Sequence, residues 1–216
     1  MVWANLEGGT GAFSSQMKSF KPSEATAWWY LPYDQLNLEL LPKHESVGII
    51  LIESEKQAKR RPYHKQKLCY ILSNMRHFAT EIVRKGIPVV YVSTSEQYDE
   101  PLRALVQEFG PINMYRAAER ELRLTLSELI EEESIIEHPH PGWLTPQNWF
   151  TETIGNEPPF RMDRFYRRVR KEKGWLMEGD SPVGGKFMMR ITASLGKANI
   201  SLQKLLNIQL TRLMKK

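Results

Sequence analysis

Residues 64–93 read HKQKLCYILSNMRHFATEIVRKGIPVVYVS, and the hydrophobic period changes once inside them. From His64 to Lys85 the apolar positions Leu68, Ile71, Leu72, Met75, Phe78, Ala79, Ile82 and Val83 recur every three or four residues. That spacing lays one stripe along a helix of about six turns. Gly86 follows, a residue suited to the backbone position that ends a helix. IPVVYVS then runs apolar without alternation and is rich in β-branched residues, as in a strand covered on both faces. A long amphipathic helix feeding a doubly buried strand is half of a crossover unit.

The flanking sequence supplies more of the same kind. VGIILIE (Val47 to Glu53) is a second continuous apolar strand, and Trp28 to Leu31 a shorter one ending at Pro32. Downstream, EPLRALVQEF reads as a helix closed by Gly110 and Pro111, and INMYR as a weaker strand. AAERELRLTLSELIEEE carries Leu122, Leu126, Leu129 and Ile130 at helical spacing, and SIIEH is a last strand. The order strand, strand, helix, strand, helix, strand, helix, strand predicts an α/β fold. Its economical form is an open, mainly parallel, Rossmann-like sheet with flanking helices. Ligands of such sheets bind beyond the carboxyl ends of the strands. Asp34, Glu53 and the loop STSEQYD after Val92 are therefore expected to line any site.

Bulk properties narrow the class. At 216 residues, 41% hydrophobic and 25% charged, the chain is globular rather than disordered. A formal charge of +5 suits an acidic partner. One cysteine, Cys69, excludes an internal disulfide and a Cys-only metal site, and fits a reducing, cytoplasmic setting. No apolar run reaches membrane-spanning length. Residues 1–26 lack the cationic start and apolar core of a signal peptide and are expected as a loose leader. HPHPGWLTP (138–146) reads as a proline-stiffened connector closing a domain over 27–158.

Candidate chemistry is sparse. GDSPVGGK (179–186) places Gly179 and Gly184 at Walker-like spacing. It lacks Gly-Lys-Ser/Thr after a strand, so a structural turn is the better reading. His138 and His140 sit on the connector with no third ligand at useful spacing, which favours a surface loop over a metal site. No serine lies on a Gly-x-Ser-x-Gly elbow, so a hydrolase triad and any catalytic residue are left out. His64, followed by Lys65 and Lys67, opens the long helix and presents positive charge and the helix dipole to an anion or polar ligand. A solvated first turn is the alternative. In FRMDRFYRRVRKEKGWLMEGDSPVGGKF (160–187), Met162, Phe165, Tyr166 and Val169 form an expected core face. Arg161, Arg164, Arg168 and Lys171 line an outer stripe with Arg167 and Arg170 beside it, offset only by Asp163 and Glu172. Such a stripe suits phosphate, and an interface helix facing acidic residues is its rival.

Together, HKQKLCYILSNMRHFATEIVRKGIPVVYV and FRMDRFYRRVRKEKGWLMEGDSPVGGKF closely resemble the deoxyribodipyrimidine photolyase-related family, the iron–sulfur bacterial photolyases and cryptochromes. YDQLN (Tyr33 to Asn37) resembles that family's Gly-Asp-Gln-Leu strand end with Tyr33 in place of glycine, and Glu53 stands where the family has a glutamate after its second strand. The resemblance covers about residues 28–187. It implies a photolyase N-terminal domain, which in this family can hold a ribityllumazine antenna. A longer helical part binds FAD, the cluster and damaged DNA, which reduced flavin repairs in a light-driven step. On this analogy Asp34, Gln35, Glu53, Gln57 and His64 are the expected cofactor-binding residues. Arg161, Arg164, Arg167, Arg168, Arg170 and Lys171 are the expected nucleic-acid or domain-interface residues in a join over 159–187. Gln57 and Arg60 stand where relatives often have Glu and Tyr.

The last thirty residues, 187–216, contain no Asp or Glu. Because the code is degenerate, Phe187 to Gly196 can be written with the codons TTT-ATG-ATG-CGG-ATA-ACC-GCA-AGC-CTT-GGC. Read from the third base, they give Tyr-Asp-Ala-Asp-Asn-Arg-Lys-Pro-Trp, which resembles the family's next segment. A frameshifted, non-family tail over 188–216 is therefore expected. With it comes a truncated photolyase, inactive alone, without the flavin half or the cluster cysteines, and self-associating through an uncovered apolar face. Two alternatives stand beside this: an isolated Rossmann-like module for a lumazine, flavin or nucleotide, and a nucleic-acid-binding adaptor.

Overall fold

The structure is a computed structural model that describes residues 4–6, 11–19, 25–43 and 46–185. The tail expected over 188–216, together with Lys186, Phe187 and His44, lies outside the described residues. The chain divides into two compact units, Met1–Leu144 and Thr145–Lys216.

The first unit is built on a parallel sheet. Its elements in chain order are β1 Ala4–Leu6, α1 Ala12–Ser19, β2 Ala27–Tyr30, β3 Val47–Ser54, α2 Glu55–Lys59, α3 Lys65–Arg84 and β4 Val89–Thr94. There follow α4 Asp99–Phe109, β5 Ile112–Tyr115, α5 Arg120–Thr125, α6 Ser127–Glu131 and β6 Ile135–His138. The strands lie in the order β1-β4-β3-β2-β5-β6, every neighbouring pair parallel. This is the open α/β architecture expected from the periodicities.

Period-two alternation within each strand divides the core between the two faces of the sheet. Trp28, Tyr30, Ile50, Ile52, Val90 and Val92 point to one face and pack with Leu102, Leu105, Leu122, Leu126 and Leu129 of α4 to α6. Trp29, Leu31, Ile49, Leu51, Val89 and Tyr91 point to the other and pack with Met75, Ala79, Ile82 and Val83 of α3. Both faces being covered explains why these strands are continuously apolar. Gly48 is fixed by packing: a Cβ there would lie 2.5 Å from Cε3 of Trp28, whose ring stacks on Phe109 at 4.3 Å. Gly86, at φ +82°, ends α3 as its position in the sequence suggests.

Two details differ from the expectation. Residues 1–26 hold a strand and a helix where a loose leader was expected. β1 pairs with β4 at the sheet edge, and α1 buries Met17 completely and sets Phe13 edge-on to Tyr91 at 4.9 Å. The single helix expected over AAERELRLTLSELIEEE is two, α5 and α6, broken at Leu126. Flanking hydroxyls compete with the backbone there, Thr125 Oγ1 donating to the Glu121 carbonyl (3.0 Å) and Ser127 Oγ to the Leu124 carbonyl (2.9 Å).

The second unit pairs α7 Gln147–Ile154 with α8 Met162–Lys173, followed by the hairpin β7 Met177–Glu178 and β8 Ser181–Pro182. The α7 helix thus joins the basic helix, whereas the domain boundary expected from sequence fell after it, at 158. Gly179 turns the hairpin at φ +60°, so the Walker-like glycines are turn residues.

Candidate functional site

The order of the strands reverses between β2 and β5, with β3 and β4 to one side and β5 and β6 to the other. Loops leaving neighbouring strands in opposite directions open a crevice there. A pocket occupies this place in the first unit. From the strand ends come Tyr33, after β2, Ile52 to Ser54 of β3, Tyr98, after β4, and Glu119, after β5. From the helical side come Gln57 and Ala58 of α2, Tyr63, and Lys67, Leu68, Ile71, Leu72 and Met75 of α3. The amphipathic stripe of α3 therefore does two jobs. Its second half packs on the sheet, and its first half overhangs the strand ends to form an apolar wall.

Above that wall the rim is polar. Gln57 Nε2 donates to Glu119 Oε1 at 3.3 Å, joining the loops after β3 and β5. Burial first, and the Glu119 carboxylate second, push the phenols of Tyr33 and Tyr98 above their ordinary range, so both are protonated donors at neutral pH. Lys67 brings an ammonium group 5.4 Å over the Tyr63 ring. The site thus offers an apolar slot with hydrogen-bond donors and one carboxylate at its edge.

Of the expected cofactor residues, Glu53 and Gln57 line this pocket. Glu53 is 7% exposed and already engaged: Arg76 donates Nε to Oε1 at 2.8 Å and Nη2 to Oε2 at 2.7 Å, and the Tyr91 hydroxyl donates to Oε1. Burial, then the Glu53 charge, holds the Tyr91 phenol protonated well above its ordinary range. Gln35 is buried as a brace, Nε2 donating to the Arg116 carbonyl at 3.1 Å while Oε1 has no partner among the described residues. Asp34 is exposed beside the crevice, its carboxyl raised by burial against the opposing pull of its own backbone and His140. His64 is exposed and caps α3, Nδ1 accepting from the Gln66 amide at 3.2 Å. Lys67, one turn on, is the cation that reaches the pocket. Tyr98 lies in the STSEQYD loop expected to line any site, whereas Tyr33, Tyr63 and Glu119 were not among the expected site residues. The signal that finds Glu119 is its position just past a strand end, read together with the switch point, which needs the strand order.

The connector histidines are committed elsewhere, His138 Nε2 to Asn113 Oδ1 (2.8 Å) and His140 Nδ1 to the Gly142 amide (3.0 Å). Among the described residues no group of three or more His, Cys, Asp or Glu is placed to hold a metal ion, and no helix is long and apolar enough to cross a membrane.

In the second unit the six basic residues separate. Arg168 turns onto α7, donating to Glu152 (2.8 Å) and Thr153 (2.9 Å) and stacking on Trp149. Arg170 is 5% exposed and donates to the carbonyls of Trp175 and Leu176, bracing a turn in which Leu176 takes φ +54°. Arg161, Arg164, Arg167 and Lys171 are exposed, with Asp163 3.5 Å from Arg161 and 3.6 Å from Arg167. The expected core face is corrected as well. Phe165 packs on Phe150, but Met162 and Tyr166 are about half exposed, because α7 covers only the Phe165–Arg168 side of α8.

The sequence profile of the family "Deoxyribodipyrimidine photo-lyase-related protein" matches residues 30–188. The chain belongs to this family. The match takes in the switch-point pocket and the basic helix. The chain is also similar to a (6-4) photolyase of Agrobacterium fabrum, 26% identical over 148 residues. That alignment covers 64% of this chain and 29% of the relative, so the chain spans about a third of that relative's length or less. A ribityllumazine antenna, implied by the resemblance to the family, matches the pocket in chemical kind but not in size. The space within the pocket is about 70 Å³, against roughly 300–1,000 Å³ for small-molecule clefts. A fused two-ring system carrying a five-carbon polyol is larger than that space.

Proposed function

We propose that this chain is the α/β, antenna-type part of a photolyase-related protein and that its switch-point pocket is a binding site for a flat heteroaromatic ligand. The observation that carries this is the convergence, after four different strands, of an apolar slot on α3 with a polar rim of Glu119, Gln57, Tyr33 and Tyr98. The role is that of a binding module. Ligand-observed NMR of the full chain with a set of flat heteroaromatic compounds tests it. Binding is expected in the wild type and is abolished in Leu72→Trp, which fills the slot. Undiminished binding in that variant rules the pocket out. On the same reading, light-driven lesion repair is absent from this chain alone, since the resemblance assigns flavin and cluster to a helical part and Cys69 is the single cysteine. Repair of an irradiated oligonucleotide by the purified chain contradicts it.

A second reading concerns α8. Exposed Arg161, Arg164, Arg167 and Lys171 alternate with exposed Tyr166, and Trp175 follows, also 43% exposed. Cations beside aromatic faces suit a single-stranded nucleic acid. Anisotropy of a labelled oligonucleotide is expected to show binding that weakens with salt. The slope of that dependence is expected to fall by about 0.7 for each phosphate no longer neutralised. Arg164→Ala and Lys171→Ala each reduce it. Salt-independent association favours a protein surface instead.

A further inference from the structure

We infer that the switch-point pocket selects a single six-membered heteroaromatic ring bearing N–H donors, of aminopyrimidine type, and excludes a fused two-ring ligand with a polyol chain. The inference rests on the proposed reading of the pocket as a ligand site, and it departs from the chromophore expected by resemblance. Three observations carry it.

The first is size. Space of about 70 Å³ holds about five waters by the measure in which one water needs roughly 10–15 Å³, which a single substituted ring replaces. The second is what limits that size. Tyr33, 36% exposed, forms part of the boundary on the strand side, at the position where the sequence resembles a family glycine. On the inner side Glu53 is closed off by Arg76 and Tyr91, so deepening the pocket means separating a bidentate ion pair. The third is polarity. With Glu53 engaged, Glu119 is the carboxylate left at the rim, held by the long 3.3 Å bond from Gln57. Its carboxylate favours a ligand that donates N–H groups, while the neutral phenols of Tyr33 and Tyr98 donate to ring nitrogens or carbonyls. The aliphatic wall of Ile71, Leu72 and Met75 takes the ring face.

The experiment is calorimetric titration of the full chain with cytosine and, separately, with an 8-ribityllumazine. The wild type is expected to bind cytosine at least about tenfold more tightly. Glu119→Gln is expected to weaken cytosine by about tenfold or more, the loss of one charge-assisted hydrogen bond. Tyr33→Gly is expected to open the pocket and raise ribityllumazine affinity by about tenfold. Tyr33→Phe, which keeps the ring and the fold, preserves the exclusion. Equal or tighter binding of ribityllumazine by the wild type overturns the single-ring inference and leaves the pocket a ligand site. Failure of both ligands to bind overturns the inference and the ligand-site reading together. Cytosine binding unchanged in Glu119→Gln overturns the assignment of the donor-bearing ring.

Discussion

Glu53 and Arg76 illustrate how one residue's sequence position and its chemistry come apart. Glu53 ends a buried strand, where a ligand-binding carboxylate is expected, and it does reach the pocket. Its charge is spent within the protein, because a carboxylate 7% exposed needs a nearby cation and α3 delivers Arg76 to it in a two-bond fork. Arg76→Met leaves that carboxylate buried without its cation. With Arg76 itself half exposed, the expected loss is about 2–3 kcal/mol, measured by urea denaturation. Glu53→Gln in the same background is expected to restore part of it, and additivity of the two losses contradicts a direct interaction. Neither Arg76 nor Tyr91 was legible as a site residue: each belongs to a helix or strand pattern that says nothing of what meets it across the sheet.

At the scale of elements, α3 and the β2–β3 pair set the geometry. Helix α3 was legible in full from its period and its closing glycine, down to the stripe that faces inward. What the stripe faces was not legible, since Leu68 and Leu72 wall a pocket while Ala79 and Ile82 fill a core. Gly48→Ala tests the β2–β3 packing, because the added Cβ meets the Trp28 ring within van der Waals distance. A loss of about 1–3 kcal/mol is expected, as for other overpacked cores, and calorimetry with an unchanged melting temperature contradicts it. The basic helix shows the opposite balance. Its stripe of arginines was plain in the sequence, yet α7 and the turn at Leu176 take Arg168 and Arg170 out of it. A helical wheel cannot show which side another helix will cover.

For the whole first unit, the buried phenols give a pH dependence whose sign follows from linkage. Tyr30, Tyr91 and Tyr98 are all raised above the ordinary value of 10.0, burial being the largest cause in each. Above pH 10 the unfolded chain releases these protons and the folded chain keeps them. The folded state then binds more protons, so stability is full below pH 10 and falls as pH rises beyond it. Denaturant titrations across the alkaline range, followed by tyrosinate absorbance, are expected to show unfolding and phenol ionisation together. Tyr98→Phe shallows the fall, and a flat profile above pH 10 contradicts the buried-phenol account. Within the second unit, Phe160, Met162, Tyr166, Trp175, Leu176 and Val183 leave apolar surface exposed. Sedimentation is expected to show concentration-dependent association that Trp175→Ser weakens, and a concentration-independent monomer argues against it.

The sequence by itself determined the α/β class, five of the six strands, the long helix and the family, because hydrophobic period and motif spacing are local properties. It also pointed to the strand ends as the place for a site. Only the tertiary structure decided which strand ends meet, since the order β1-β4-β3-β2-β5-β6 arises from pairings between residues far apart in the chain. That order brings Glu119 to Gln57, and folding pairs Glu53 with Arg76 and leaves a pocket of about 70 Å³. Polarity is written residue by residue, but the room available to a ligand is a property of surfaces brought together by folding.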